Sequence, residues 1–142
     1  MIIQSEKKSE SLQINVQSSM EPNVYPTGLY SMTGAIGEHT VTNNSVIFEF
    51  PEKFLKALRE FEGTRKGSIF LKGSEGCHIS IEPDGGSGAA WLDFAISKYS
   101  IVGSRQTGSG KTAKLSLTGG FSIPGDYLGR LVQDFADLFT KR

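Results

Sequence analysis

The chain has 142 residues, enough for one domain with its own core, and its 15 basic and 15 acidic residues cancel. It carries no basic stripe of the kind that neutralises phosphates and no RNA-recognition aromatic motif, so nucleic acid is not the expected partner. A single cysteine excludes an intramolecular disulfide, the first residues have no apolar signal-peptide core, and no run of about 20 apolar residues could cross a bilayer, which leaves a soluble cytoplasmic protein with no membrane partner as the expectation.

Residues 1–10 read as a polar lead-in. Leu12, Ile14 and Val16 then alternate with Gln13, Asn15 and Gln17, the period of a half-buried strand. Residues 18–27, with Pro22 and Pro26, read as a loop. Leu29 to Ile36 is a second strand, and Thr40 to Phe50 a third, with Asn43-Asn44 as an expected bulge. Pro51 stands where proline suits a helix, in the first turn, and Glu52 beside it favours the positive end of the helix dipole. Phe54, Leu55, Leu58 and Phe61 make one apolar helical face, with Gly63 as the expected stop.

The second half opens with a hairpin, Ser68–Leu71 and Cys77–Ile81 around Gly73–Gly76. Pro83-Asp84-Gly85-Gly86-Ser87-Gly88 is a turn cluster, and Trp91–Ile96 follows as a strand with Leu92, Phe94 and Ile96 on one face. Gly103 to Gly110 reads as a polar glycine loop. Leu115, Leu117, Gly119, Phe121 and Ile123 then alternate strictly with polar or small residues, the clearest strand in the chain. The closing helix gathers Tyr127, Leu128, Leu131, Val132, Phe135, Leu138 and Phe139 on one side.

One phrase occurs twice, 73 residues apart: Phe48-Glu-Phe-Pro51-Glu-Lys-Phe54-Leu55-Lys-Ala-Leu58 and Phe121-Ser-Ile-Pro124-Gly-Asp-Tyr127-Leu128-Gly-Arg-Leu131. Each copy runs a strand into an amphipathic helix through a proline. Short connections between successive strands favour antiparallel pairing, and each helix needs an apolar face to cover its stripe. The expected fold is therefore α+β: an antiparallel sheet with two amphipathic helices on one face. It forms a single domain, pseudo-duplicated into halves at about 11–63 and 67–140.

Motifs for chemistry are scarce. Thr107-Gly-Ser-Gly-Lys111-Thr112 resembles the end of a phosphate-binding loop, but Arg105 stands where the first glycine belongs. Lys111 also leads into an alternating strand instead of a helix. Cys77 and His78 are adjacent on a strand and point to opposite faces, so they cannot both hold one metal. Cys77 goes with Ile79 and Ile81 as a small core residue, and His78 goes with Ser80 and Glu82 toward solvent. No enzyme, cofactor or metal site is expected. Trp91, the only tryptophan, shares the outward face with Asp93 and would make a binding anchor there.

The order of elements, with the F-x-F-P-x-x-F-L-x-x-L start of the first helix and the matching I-P-x-x-Y-L-x-x-L start of the second, resembles the WapI-type bacterial immunity proteins and related small uncharacterised bacterial families. The resemblance rests on Phe54, Leu55, Leu58, Ile69–Leu71, Ile79, Ile81, Leu115, Leu117, Tyr127, Leu128 and Leu131. It implies a cytoplasmic antidote that binds a cognate toxin and occludes its active site, without chemistry of its own. The surface then expected to meet the toxin is the polar sheet face away from the helices with the 83–88 and 103–111 loops. Asp84, Trp91, Arg105, Gln106 and Lys111 are its candidate residues. The alternative is a binding or assembly module that self-associates through its sheet, as a homodimer would.

Overall fold

The computed structural model describes residues 1–18, 28–102 and 111–140. Its strands and helices follow one order twice. Strands β1 (Ile2–Gln4), β2 (Glu10–Ser18), β3 (Leu29–Ile36) and β4 (His39–Val46) lead to helix α1 (Pro51–Thr64). Strands β5 (Ile69–Lys72), β6 (His78–Asp84), β7 (Ala89–Val102) and β8 (Lys111–Ile123) lead, through a single 3₁₀ turn at Gly125–Tyr127, to helix α2 (Leu128–Thr140). All strand pairs are antiparallel, and the fold is α+β as the patterning implies.

The strands form two four-stranded meanders, β1-β2-β3-β4 and β5-β6-β7-β8, where periodicity alone suggested one sheet. Alternation tells a strand which face to bury but not which sheet to bury it against. The apolar faces of the two sheets meet each other as well as the helices. Their closest approach depends on two glycines. A Cβ at Gly34 of β3 would lie 2.5 Å from Phe94 Cε2 and 2.7 Å from Ile96 Cδ1, both on β7. A Cβ at Gly119 of β8 would strike Ile36 of β3 and come within 2.8 Å of Phe94 Cζ. The residues at 2–4, read as lead-in, form edge strand β1, with Ile3 buried opposite Leu12. Three residues are too few for a period to be seen.

The helices are divided between the sheets. Helix α1 packs beside β5, and α2 sends Phe139 against Tyr30 and Phe48 of the first half, at ring-centroid distances of 5.7 and 5.9 Å. The two helices meet through Phe54 and Phe135, edge to face at 5.0 Å. The repeated phrase therefore buries matching residues in both halves, although Phe50 is exposed where its counterpart Ile123 is buried. Phe48 and Phe121, Leu55 and Leu128, and Leu58 and Leu131 are all buried. Each such side chain contributes roughly 1.5–3 kcal/mol by leaving water.

Helix α1 stops at Thr64, one residue beyond the expected glycine, and Arg65 takes the left-handed conformation (φ 55°) that Gly63 was expected to supply. Its backbone N–H caps Phe61 O at 2.7 Å. Its guanidinium donates to Glu62 O (2.7 Å), Gly88 O (2.5 Å) and Gly125 O (3.1 Å), tying the end of α1 to the second half. Those three bonds hold a non-glycine residue where glycine is usual.

The expected bulge falls at Asn44–Ser45, where the register slips between Tyr30↔Val46 and Met32↔Asn43. It turns Asn43 inward. The buried amide donates to Ser97 O (2.8 Å) on β7 and to Glu75 Oε2 (3.0 Å), while its own oxygen accepts from Ser45 N–H (2.8 Å). Replacing Asn43 by alanine should cost about 2–3 kcal/mol, since it strips a donor from a buried carbonyl. The expected drop in melting temperature is roughly 6–10 °C, measurable by calorimetry.

Candidate functional site

The outward face of the second sheet differs sharply from that of the first. On the first sheet, the cross-strand rows Ile2–Gln13–Thr33–Thr42 and Gln4–Ser11–Ala35–Thr40 carry no charge and no aromatic ring. On the second, alternation turns Phe70 and Lys72 of β5, His78, Ser80, Glu82 and Asp84 of β6, and Trp91 and Asp93 of β7 away from the core. Leu92, Phe94 and Ile96 point inward and are buried, as expected.

Register places these residues in rows. Glu82, Trp91 and Ser122 stand side by side, followed by Phe70, Ser80, Asp93 and Gly120, then Lys72, His78, Ala95 and Thr118. Two residues apart on β7, Trp91 and Asp93 share a face, and the indole Nε1–H donates to Asp93 Oδ1 at 2.9 Å. Both lie over the bare backbone of Gly120, where a Cβ would be 2.6 Å from Asp93 Oδ1 and 2.9 Å from Trp91 Nε1. The missing side chain at 120 thus sets the pose of the tryptophan. Ser122 Oγ donates to Asp84 Oδ2 at 2.6 Å, which gathers Glu82, Asp84 and Asp93 into an acidic surround for the half-buried indole.

At the other edge, Phe70 is 56 % exposed and lies against the His78 ring with centroids 5.1 Å apart. A hollow of about 310 Å³ lined by His78, Ser80, Asp93 and Thr118 separates this pair from Trp91. Phe50 continues the strip around the edge. It is 63 % exposed, held at φ 50° at the N-terminus of α1, with Lys53 Nζ 4.6 Å above its ring. Phe50 and Phe70 line one cleft of about 240 Å³ with Lys53 and Lys72. Glu49 lines the same cleft and pairs with Lys72 at 3.9 Å, so the charge at the Phe50–Phe70 end is mixed, while the Trp91 end is acidic.

Of the candidates named from sequence, Asp84 and Trp91 come together on this face. Lys111 does not join them, because it begins β8, eleven residues from Ser122 and so roughly 36 Å along the strand. Arg105 and Gln106, with most of the 103–111 loop, lie outside the described residues. Phe50 and Phe70 were not legible. Phe50 looked like the next inward residue after Phe48, and Ile69-Phe70-Leu71 is apolar throughout, so neither position announces exposure.

Cys77 is buried, its Sγ donating to Ser97 O at 3.5 Å, and burial pushes its thiol up from the ordinary value. His78 points to the opposite side. Among the described residues no group of three His, Cys, Asp or Glu side chains is placed to hold a metal ion, and no helix is long and apolar enough to cross a membrane. A roomier cleft of about 380 Å³ lies between β1 and the β8–α2 junction, lined by Ile2, Ile3, Lys8, Pro124, Asp126 and Tyr127. No family model, no curated protein and no solved structure matches this chain.

Proposed function

We propose that this chain is a non-enzymatic binding protein whose partner is a cognate bacterial toxin, which it neutralises in the cytoplasm by covering the toxin's active site. The observation that carries the reading is the strip Phe70–His78–Trp91 on the outward face of the second sheet, continued at its edge by Phe50. Aromatic side chains posed before binding lose little entropy on docking, and Trp and Tyr are the residues most enriched among interface hot spots. A standard interface of about 1,600 Å² would take this face and its rim. The acidic surround of Trp91 suits a basic feature on the toxin, and such complementarity fixes orientation and speeds encounter. The choice of a toxin as partner comes from the resemblance to WapI-type immunity proteins, and the choice of face comes from the strip.

Co-expression with a candidate toxin domain from the same genome tests the choice of partner. Growth rescue together with co-elution on size exclusion supports direct neutralisation. Toxicity without rescue, or rescue without a complex, overturns it.

A further inference from the structure

Four strands form the edges of the two sheets, and three of them are blunted. Strand β1 has three residues, and β4 is broken by its bulge. The four-residue β5 is overlain by the Phe48↔Gly73 bridge and the Glu49 N–H to Lys72 O bond of 2.8 Å. Strand β8 has none of these protections. It runs for 13 residues in unbroken register with β7, from Ile123↔Ala90 to Lys111↔Val102. It has no proline and no acidic residue, and its two lysines, Lys111 and Lys114, stand at one end. Among the described residues, no backbone hydrogen bond from another element reaches its free side. Proteins normally protect such edges, and a long flat one is a template for a further strand.

We infer that β8 pairs with β8 of a second copy about a twofold axis, joining the two four-stranded sheets into one of eight. The register that uses the whole strand puts Leu117 on the axis and is self-complementary. Lys114 of each copy comes opposite Gly120 of the other, whose neighbour in the row is Asp93. That carboxylate lies about 10 Å from the lysine backbone across a position with no side chain, within a lysine's reach. No like charges meet: Lys111 faces Ile123, Lys114 faces Gly120, and the other positions between are Ser, Thr, Gly, Ala, Leu and Phe. On the opposite face Leu117 meets its own copy, and Leu115, 51 % exposed in one chain, gains the cover of the partner strand near Ile36. A ladder of this length makes roughly a dozen backbone hydrogen bonds. A second copy is thus the occupant that this edge fits. The dimer leaves the Phe50–Phe70 end of the aromatic strip free, since β5 lies at the other side of the sheet.

Light scattering on the full chain, across about 1–300 µM, should give twice the chain mass of 15.4 kDa at the upper end. The double variant Ser116→Glu/Thr118→Glu sets like charges opposite one another at the axis and should weaken the dimer at least about tenfold. Should that variant misfold, Leu117→Cys supplies an independent reading. Paired Cα atoms of about 4.5–5.5 Å fall within disulfide range, so mild oxidation should cross-link it, while Gln4→Cys on the far sheet should form the same dimer without a cross-link. A monomer at all concentrations overturns the inference. So does a dimer that Ser116→Glu/Thr118→Glu leaves intact, or one that Leu117→Cys fails to trap.

Discussion

Replacing Gly34 with valine should destabilise the protein by at least about 3 kcal/mol, and with alanine by about 2–3 kcal/mol, the usual upper range for overpacking. Gly34 is not held in a left-handed conformation, so the cost is purely steric. Its missing Cβ is the space taken by Phe94 Cε2 and Ile96 Cδ1 from the facing sheet. Both neighbours are buried at 1 % exposure or less, between Gly119 on one side and the rest of the core on the other, so neither can step aside. A valine there must push the sheets apart or force Phe94 from its rotamer. The opposing terms are small: better strand propensity and a less flexible unfolded chain give back about 1 kcal/mol at most. Gly63 supplies the control. It lies in the last turn of α1 with nothing within 4 Å of an added Cβ, so Gly63→Ala should stabilise by about 0.5–1 kcal/mol. The same added methyl should therefore move the urea midpoint in opposite directions at the two positions. Equal shifts would remove the sheet-to-sheet contact from the account.

Local pattern gave the protein's elements, and non-local pairing decided their arrangement. The strict alternation from Leu115 to Ile123 became the inward face of β8 up to the ribbon's end, where Leu115 runs past the core. The apolar faces of both helices are buried as read, except that Tyr127, in the 3₁₀ turn, and Phe139 are only partly covered. The turn read at 83–88 is confined to 85–88, because Pro83 and Asp84 pair within β6, and the bulge read at Asn43-Asn44 falls one residue on, at Asn44–Ser45. What stayed hidden depended on partners distant in sequence. Gly34 and Gly119 look like ordinary strand weakeners until Phe94 and Ile36 occupy their space. Asn43 looks like a turn residue until Ser97, 54 positions away, accepts its hydrogen bond. Arg65 stops α1 in place of a glycine because Gly88 and Gly125 hold its guanidinium, and neither can be foreseen from the helix itself. Half of the site was legible for the same reason. Alternation alone turns Trp91 and Asp93 outward, but only the β7–β8 register sets Gly120 beneath them, and only the turn at Phe50 brings that ring to the edge by Phe70.

Trp91→Ala should weaken binding to the toxin by about 30- to 1,000-fold, the loss of 2–4 kcal/mol typical of an aromatic anchor, while leaving the fold intact. The indole is half-buried on the outward face and contributes nothing to the contact between sheets, so its removal should change stability by no more than about 1 kcal/mol. Simple loss of area is not the only arm of the test. Gly120→Ala adds a Cβ that meets Asp93 Oδ1 and the indole edge, both movable surface groups, and so should displace the ring at little cost to folding. If Trp91 acts as a posed anchor, Gly120→Ala should weaken binding at least about tenfold although no contacting atom has been deleted. Asp93→Asn keeps an acceptor for the indole N–H and removes only charge, so it should slow association and leave dissociation nearly unchanged. Gln13→Ala, on the neutral outward face of the first sheet, should have no effect. Because Trp91 is the only tryptophan, its fluorescence reports each step directly: a shift in free Gly120→Ala, and a second shift when the wild-type complex forms. Equal binding by wild type, Trp91→Ala and Gly120→Ala would place the interface elsewhere on the molecule.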